Sequence, residues 1–294
     1  MPKESDHQIG VESGLHDPRD NQTEGGACLT GHDSGFRFRS CSYRWQAVIE
    51  SRRSRKAIYD KEPQLHPDHV KAGAIRTSAY VSERGNLTPL HHAFKLALPK
   101  PGDWHLSGPF RPDAKAGNGK RISPGKNFTK DTWPYWNNAH HLIPKALFLK
   151  TIEDPEVVSD PECQKLIQQS LLRAKYNINH HVNVILLPND KEPARALNLP
   201  RHLVLEDGPE GLDDRPKFNH GQYNKNVLAT LKSIIDGYKT ACEQASSGPC
   251  DTKQLRLSGS RLENLSRRCY AAILKFGVSQ PGEALSAMRP AAFG

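Results

Sequence analysis

The sequence predicts an α+β chain in which a small sheet and several helices follow a mostly irregular N-terminal region. Three observations carry that prediction. Two short apolar runs are each closed by proline, Asn138-Ala139-His140-His141-Leu142-Ile143-Pro144 and Asn183-Val184-Ile185-Leu186-Leu187-Pro188. Proline ends such strands because it cannot donate the next ladder hydrogen bond. Further apolar residues recur at helical spacing. Residues 1–40 are polar and rich in Gly, Asp, Ser and His, a composition that buries little apolar surface and predicts a flexible arm over 1–42.

Along the chain, residues 43–60 read as a short helix that ends in the basic run Arg52-Arg53-Ser54-Arg55-Lys56. Residues 61–112 are punctuated by Pro and Gly, with β-leaning stretches near Ala79-Tyr80-Val81 and Phe94-Lys95-Leu96-Ala97-Leu98, so 43–112 forms an accessory region. A basic loop with Lys115, Lys120, Arg121, Lys126 and Lys130 opens the core, 113–245. A helix is expected over 161–175, with Pro161 in its first turn and Leu166, Ile167 and Leu171 on one face. Another is expected over 221–240, carrying Tyr223, Val227, Leu228, Leu231, Ile234, Ile235 and Tyr238 at helical spacing. A C-terminal unit, 246–294, holds a last helix near 253–276 with Leu262, Leu265, Tyr270, Ile273 and Leu274 inward.

Composition narrows the partners. Lys and Arg number 41 against 32 Asp and Glu, a formal charge of +9, which suits a polyanion such as nucleic acid or an anionic membrane surface. No run of 18 apolar residues is present, so no transmembrane helix is expected. The opening Met-Pro-Lys-Glu-Ser-Asp-His has no apolar stretch behind it and does not read as a secretory signal. None of the six cysteines forms a Cys-x-x-Cys pair, which argues against a zinc ribbon. Free buried thiols are expected ahead of a local disulfide such as Cys242–Cys250.

The chemistry concentrates at His140-His141. Phosphodiester hydrolysis needs a base to activate water and a cation to neutralise charge on the phosphate and the leaving oxygen. Adjacent histidines at a bent strand end can divide these tasks, one toward a metal and one toward water. A later histidine at a helix start can close the metal site, and an asparagine between them can hold the loop and the ring of the base by hydrogen bonds. The sequence supplies such a set in order, with Asn183 and then His220 downstream of His140-His141. Two other His-His pairs, His91-His92 and His180-His181, read as surface or turn histidines.

Ala139-His140-His141-Leu142-Ile143-Pro144 resembles the signature of the Ala-His-His branch of the HNH/endonuclease VII nuclease superfamily. Tyr176-Asn177-Ile178-Asn179 with Asn183–Pro188 resembles that family's second block. Leu199-Pro200-Arg201-His202 and His220-Gly221-Gln222-Tyr223-Asn224 resemble its closing block. The likeness covers about 134–240, roughly a third of the chain. It implies a ββα-metal (His-Me finger) nuclease core, with His141 as general base and Asn183 as the orienting residue. It makes His140 and His220 ligands of one divalent cation, with His202 a further ligand. Lys120, Arg121, Lys126 and Lys145 are then expected on the phosphates. One departure is the stretch from Leu203 to Asn219, longer than the pattern, whose Glu206, Asp207, Asp213 and Asp214 read as a solvated loop.

The cation is expected to be magnesium, with zinc or manganese next. Such domains resemble the warheads of bacterial polymorphic toxins and secretion-system effectors. That implies an antibacterial DNase made in the bacterial cytoplasm and delivered by a contact-dependent machine such as type VI secretion. It would act in the target-cell cytoplasm, and a cognate immunity protein would guard the producer. Two readings compete: an RNase toxin with the same site, and a non-catalytic nucleic-acid-binding protein held by zinc. Comparing digestion of plasmid with total RNA separates the first; stoichiometric zinc without cleavage would mark the second.

Overall fold

A computed structural model describes residues 27–29, 43–44, 46–51, 53, 137–189, 191–202, 221–247 and 255–289. The expectations for 61–112, for the basic loop with Lys120, Arg121 and Lys126, for His91-His92 and for His220 lie outside the described residues.

The elements are helices around a small antiparallel sheet of two strands, β1 (Asn137–His141) and β2 (Val184–Pro188). The chain between them holds α1 (Lys145–Glu153), α2 (Pro161–Arg173) and a one-turn 3-10 helix, His181–Asn183. After β2 come α3 (Lys191–Ala196), α4 (Gly221–Ser247), α5 (Ser260–Ser279) and a second 3-10 turn, Leu285–Ala287. The mixed α+β expectation therefore holds.

Sequence explains most element ends. Pro144 stands at the N-cap of α1, where its extended backbone turns the chain out of β1. Asp160 caps α2 by accepting from Glu162 N at 3.0 Å, and Pro161 occupies the first turn, where its missing N–H costs nothing. β2 is buried along its whole length, as a continuous apolar run requires. Register places Ala139 opposite Leu186, His140 opposite Ile185 and His141 opposite Val184.

Asn183 belongs to the 3-10 turn rather than opening β2. The last helix starts at Ser260, later than expected. Its inward face is Leu262, Leu265, Cys269, Ile273 and Phe276, with Tyr270 and Leu274 only partly buried.

Ala27, Cys28 and Leu29, within the expected arm, are buried, and Cys28 pairs with Asn177 through Cys28 N→Tyr176 O at 3.0 Å and Ile178 N→Cys28 O at 2.8 Å. Side chains of α5 share one apolar cluster with those of α2, α4 and β2, and Arg201 forms a β-bridge with Ala284.

Candidate active site on the two faces of strand β1

Successive strand residues point to opposite faces, so His140 and His141 look away from each other. His140 is 4% exposed and His202 is 6% exposed. Their rings meet edge to face, with His140 Nδ1 3.0 Å from His202 Nε2. His202 arrives there because its N–H donates to Pro188 O at 2.8 Å, extending the end of β2. Parallel pairing with the C-terminal segment steadies the same stretch, through Arg201 N→Glu283 O at 2.7 Å and Leu285 N→Arg201 O at 2.9 Å.

Tyr223, in the first turn of α4, lies edge-on to the His140 ring at 5.1 Å between centroids. Its hydroxyl donates to Leu142 O at 2.6 Å. One buried side chain thus ties the start of α4 to the residue that follows His141. His220 directly precedes α4 in sequence.

The 3.0 Å between His140 Nδ1 and His202 Nε2 is a hydrogen bond between the two rings, one nitrogen donating and the other accepting. Two imidazoles suit a first-row transition ion better than magnesium, which favours oxygen. Among the described residues, no group of three or more His, Cys, Asp and Glu is placed to hold a metal.

The other face carries His141. Its Nε2 lies 2.9 Å from Asn179 Oδ1. A carbonyl oxygen accepts, so Nε2 bears the proton and Nδ1 keeps the lone pair. The Asn179 orientation is fixed in turn, since its Nδ2 donates to Cys28 Sγ at 3.5 Å and its backbone N to Asn177 Oδ1 at 2.9 Å. Tyr43 tilts against the His141 ring at 4.9 Å. Burial pushes the His141 imidazole down to about 4, partly offset by the Asn179 bond, and the positive charge of Lys145 pushes the same way as burial. His141 is therefore neutral near pH 7. Lys145 is the first residue of α1, four positions beyond His141.

The Asn183 side chain makes its hydrogen bonds elsewhere than to His141. Its Oδ1 accepts from Ile143 N at 2.8 Å and from Ser266 Oγ at 2.7 Å. Its Nδ2 donates to Ile178 O at 2.8 Å and Ile143 O at 3.3 Å. It clamps the turn after β1 to the strand approach and to α5. The expectation that Asn183 holds both loop and base thus divides: Asn183 holds the loop, and Asn179 holds the ring.

His180-His181 is a turn, as expected, but His181 is not a surface residue. It is buried, its Nε2 accepts from Arg53 Nη1 at 3.0 Å, and its backbone N–H donates to Gln46 Oε1 at 3.1 Å. Burial, the neighbouring His180 and the charges of Arg53 and Arg267 push its imidazole down to about 3. Arg44 Nη2 donates to Asn137 Oδ1 on β1. The N-terminal helical residues therefore build one wall of the site. Asn179 was within reach of sequence reasoning, because it stands in the block Tyr176–Asn179. Cys28 and Tyr43 carried no local signal.

The chain matches no protein-family model, no curated protein and no solved structure.

Proposed function

We propose that the chain is a metal-dependent endonuclease that hydrolyses the phosphodiester backbone of DNA, built on a ββα-metal arrangement of β1, β2 and α4. The observation that carries this reading is the division of His140 and His141 between two faces of one strand. His140 meets a second imidazole, and His141 meets a carboxamide that sets its tautomer.

His141 is the base. Asn179 holds the proton on Nε2, so Nδ1 is the atom that takes a proton from water. The depressed basicity of the partly buried ring keeps that lone pair available at neutral pH. Lys145 supplies positive charge beside His141, where a scissile phosphate would gather negative charge. His140 and His202 would hold the divalent cation, with His220 the expected third ligand. That ion supplies charge neutralisation at the phosphate and the leaving oxygen. The nitrogen pair favours zinc, manganese or nickel over magnesium. Asn183 and Tyr223 keep the turn at Leu142 and Ile143 in place, so that the two faces stay in register. The basic balance of the chain, +9, suits the polyanionic substrate.

An antibacterial effector with a cognate immunity protein and a delivery machine fits this reading through the resemblance alone. The test is purified protein on plasmid DNA and on total RNA, with and without EDTA, each with added magnesium, manganese or zinc. Metal-dependent plasmid loss that disappears in a folded His141→Ala variant is expected. Loss that persists undiminished in that variant would remove His141 from the chemistry. Digestion of RNA alone would move the substrate from DNA to RNA.

A further inference from the structure

Outside the site around β1, Cys163 on α2 and Cys242 on α4 face one another. Both are free thiols, at 8% and 0% exposure, and they interact side chain to side chain. Both line one cavity of ≈ 310 Å³, together with Asp160, Glu162, Lys165 and Glu243. Such a volume admits a small organic molecule. None of these residues belongs to the site around His140 and His141, so the chemistry of this pair is independent of the chain's substrate.

We infer that Cys163 and Cys242 are a paired redox site, oxidised to an α2–α4 disulfide by a small neutral or cationic disulfide that enters this cavity. Cys163 is the more accessible sulfur and acts first. Its thiol loses a proton and the thiolate attacks one sulfur of the reagent, giving a mixed disulfide and releasing one thiolate, which takes up that proton. Cys242 then loses its proton and attacks the Cys163 sulfur. The Cys163–Cys242 bond forms, and the second reagent thiol leaves with the proton. Two protein thiols are oxidised and one reagent disulfide is reduced to two thiols.

The charged lining sets the choice of reagent. Asp160, Glu162 and Glu243 outnumber Lys165, which Glu162 engages at 2.7 Å, and Lys239, whose charge also reaches Cys163. An anionic disulfide such as oxidised glutathione is repelled and cationic cystamine is drawn in. Salt narrows that difference by screening. Burial raises both thiols, Cys242 to about 12, so oxidation is slow near neutrality and quickens with pH.

The test is native full-length protein incubated with cystamine or with oxidised glutathione at pH 8.5, quenched by alkylation and mapped by non-reducing peptide mass spectrometry. A cross-link joining the peptides of Cys163 and Cys242, formed several-fold faster with cystamine at low salt, is expected. It should raise the melting temperature, and dithiothreitol should reverse the rise. In Cys242→Ser the reaction should stop at a mixed disulfide on Cys163. Should that variant fail to fold, the wild-type map decides alone. No Cys163–Cys242 cross-link, or Cys242 joined to Cys250 instead, overturns the proposal.

Discussion

Asn179 Oδ1 lies 2.9 Å from Nε2 of His141, four residues before Asn183, whose side chain binds the turn after β1, Ile178 and α5. Two asparagines thus share the work that the sequence assigns to one. In the proposed nuclease, Asn179→Ala removes the partner that fixes the ring and its tautomer. Partners of this kind are worth roughly 10- to 100-fold in activity. The expected result is a fall of that size in kcat with KM little changed, because Asn179 is placed to touch the base and not the substrate. The pH–rate profile should also move, since the Asn179 bond opposes the effect of burial on His141. A purely structural residue would lower the folded fraction and leave the profile of the surviving enzyme in place.

Asn183 predicts the opposite pattern. Its carboxamide makes hydrogen bonds to Ile143, Ile178 and Ser266 inside the core. Asn183→Ala leaves these groups buried and unmatched, at a cost of about 2–4 kcal/mol. Urea denaturation should show the lowered midpoint. Asn183→Asp should not restore it, because a carboxylate cannot donate to the Ile178 and Ile143 carbonyls. A midpoint within a few tenths of a kcal/mol of wild type in Asn183→Ala would contradict the clamp.

The legibility of these residues follows from how local each signal is. β1, β2, α2 and α4 are readable because proline punctuation and apolar spacing are local properties of the chain. His140-His141 stands out by its setting, with Trp133, Tyr135 and Trp136 before it and Leu142-Ile143-Pro144 after it. Cys28, Tyr43 and Arg53 reach the site only because the chain folds back from well over a hundred residues upstream of the segment near 180. Pairing over that separation leaves no periodicity to read. His181 reads as a surface residue because histidine in a turn usually lies there, and the guanidinium that pairs with it is remote in sequence.

His181, together with His141, makes stability depend on acid. Its imidazole is held at about 3 in the folded protein against an ordinary 6.5. Between those values the unfolded chain binds one more proton there than the native chain. Stability from this group is therefore complete above about pH 6.5 and is lost as pH falls toward 3. The slope is at most about 1.4 kcal/mol per pH unit. Burial sets it first, and the charges of His180, Arg53 and Arg267 add to it. His181→Gln keeps an acceptor for Arg53 and does not titrate. Urea midpoints at pH 7.5, 6, 5 and 4.5 should fall less steeply in this variant than in wild type. Parallel slopes would show that His181 protonates as easily folded as unfolded.

Gly277 controls the site from a distance. It lies on α5 where a Cβ would stand 2.4 Å from Asn198 O and 2.7 Å from Leu199 Cα. Both obstacles are backbone, so neither can swing aside. The segment they belong to continues through Arg201 to His202, whose ring is 3.0 Å from His140 Nδ1. Gly277→Ala must push that segment away from α5, an overpacking strain of about 1–3 kcal/mol. The displacement carries His202 with it and opens the His140–His202 pair. In the proposed metal-dependent nuclease, two losses are therefore expected together: a lower melting temperature, and weaker binding of zinc or manganese in calorimetry at a temperature where the variant is still folded. Val278→Ala is the matched control, since Val278 is 47% exposed and its truncation should change neither. If Gly277→Ala lowers the melting temperature but binds the cation as tightly as wild type, His202 is not among the ligands, and the edge-to-face contact with His140 is packing alone.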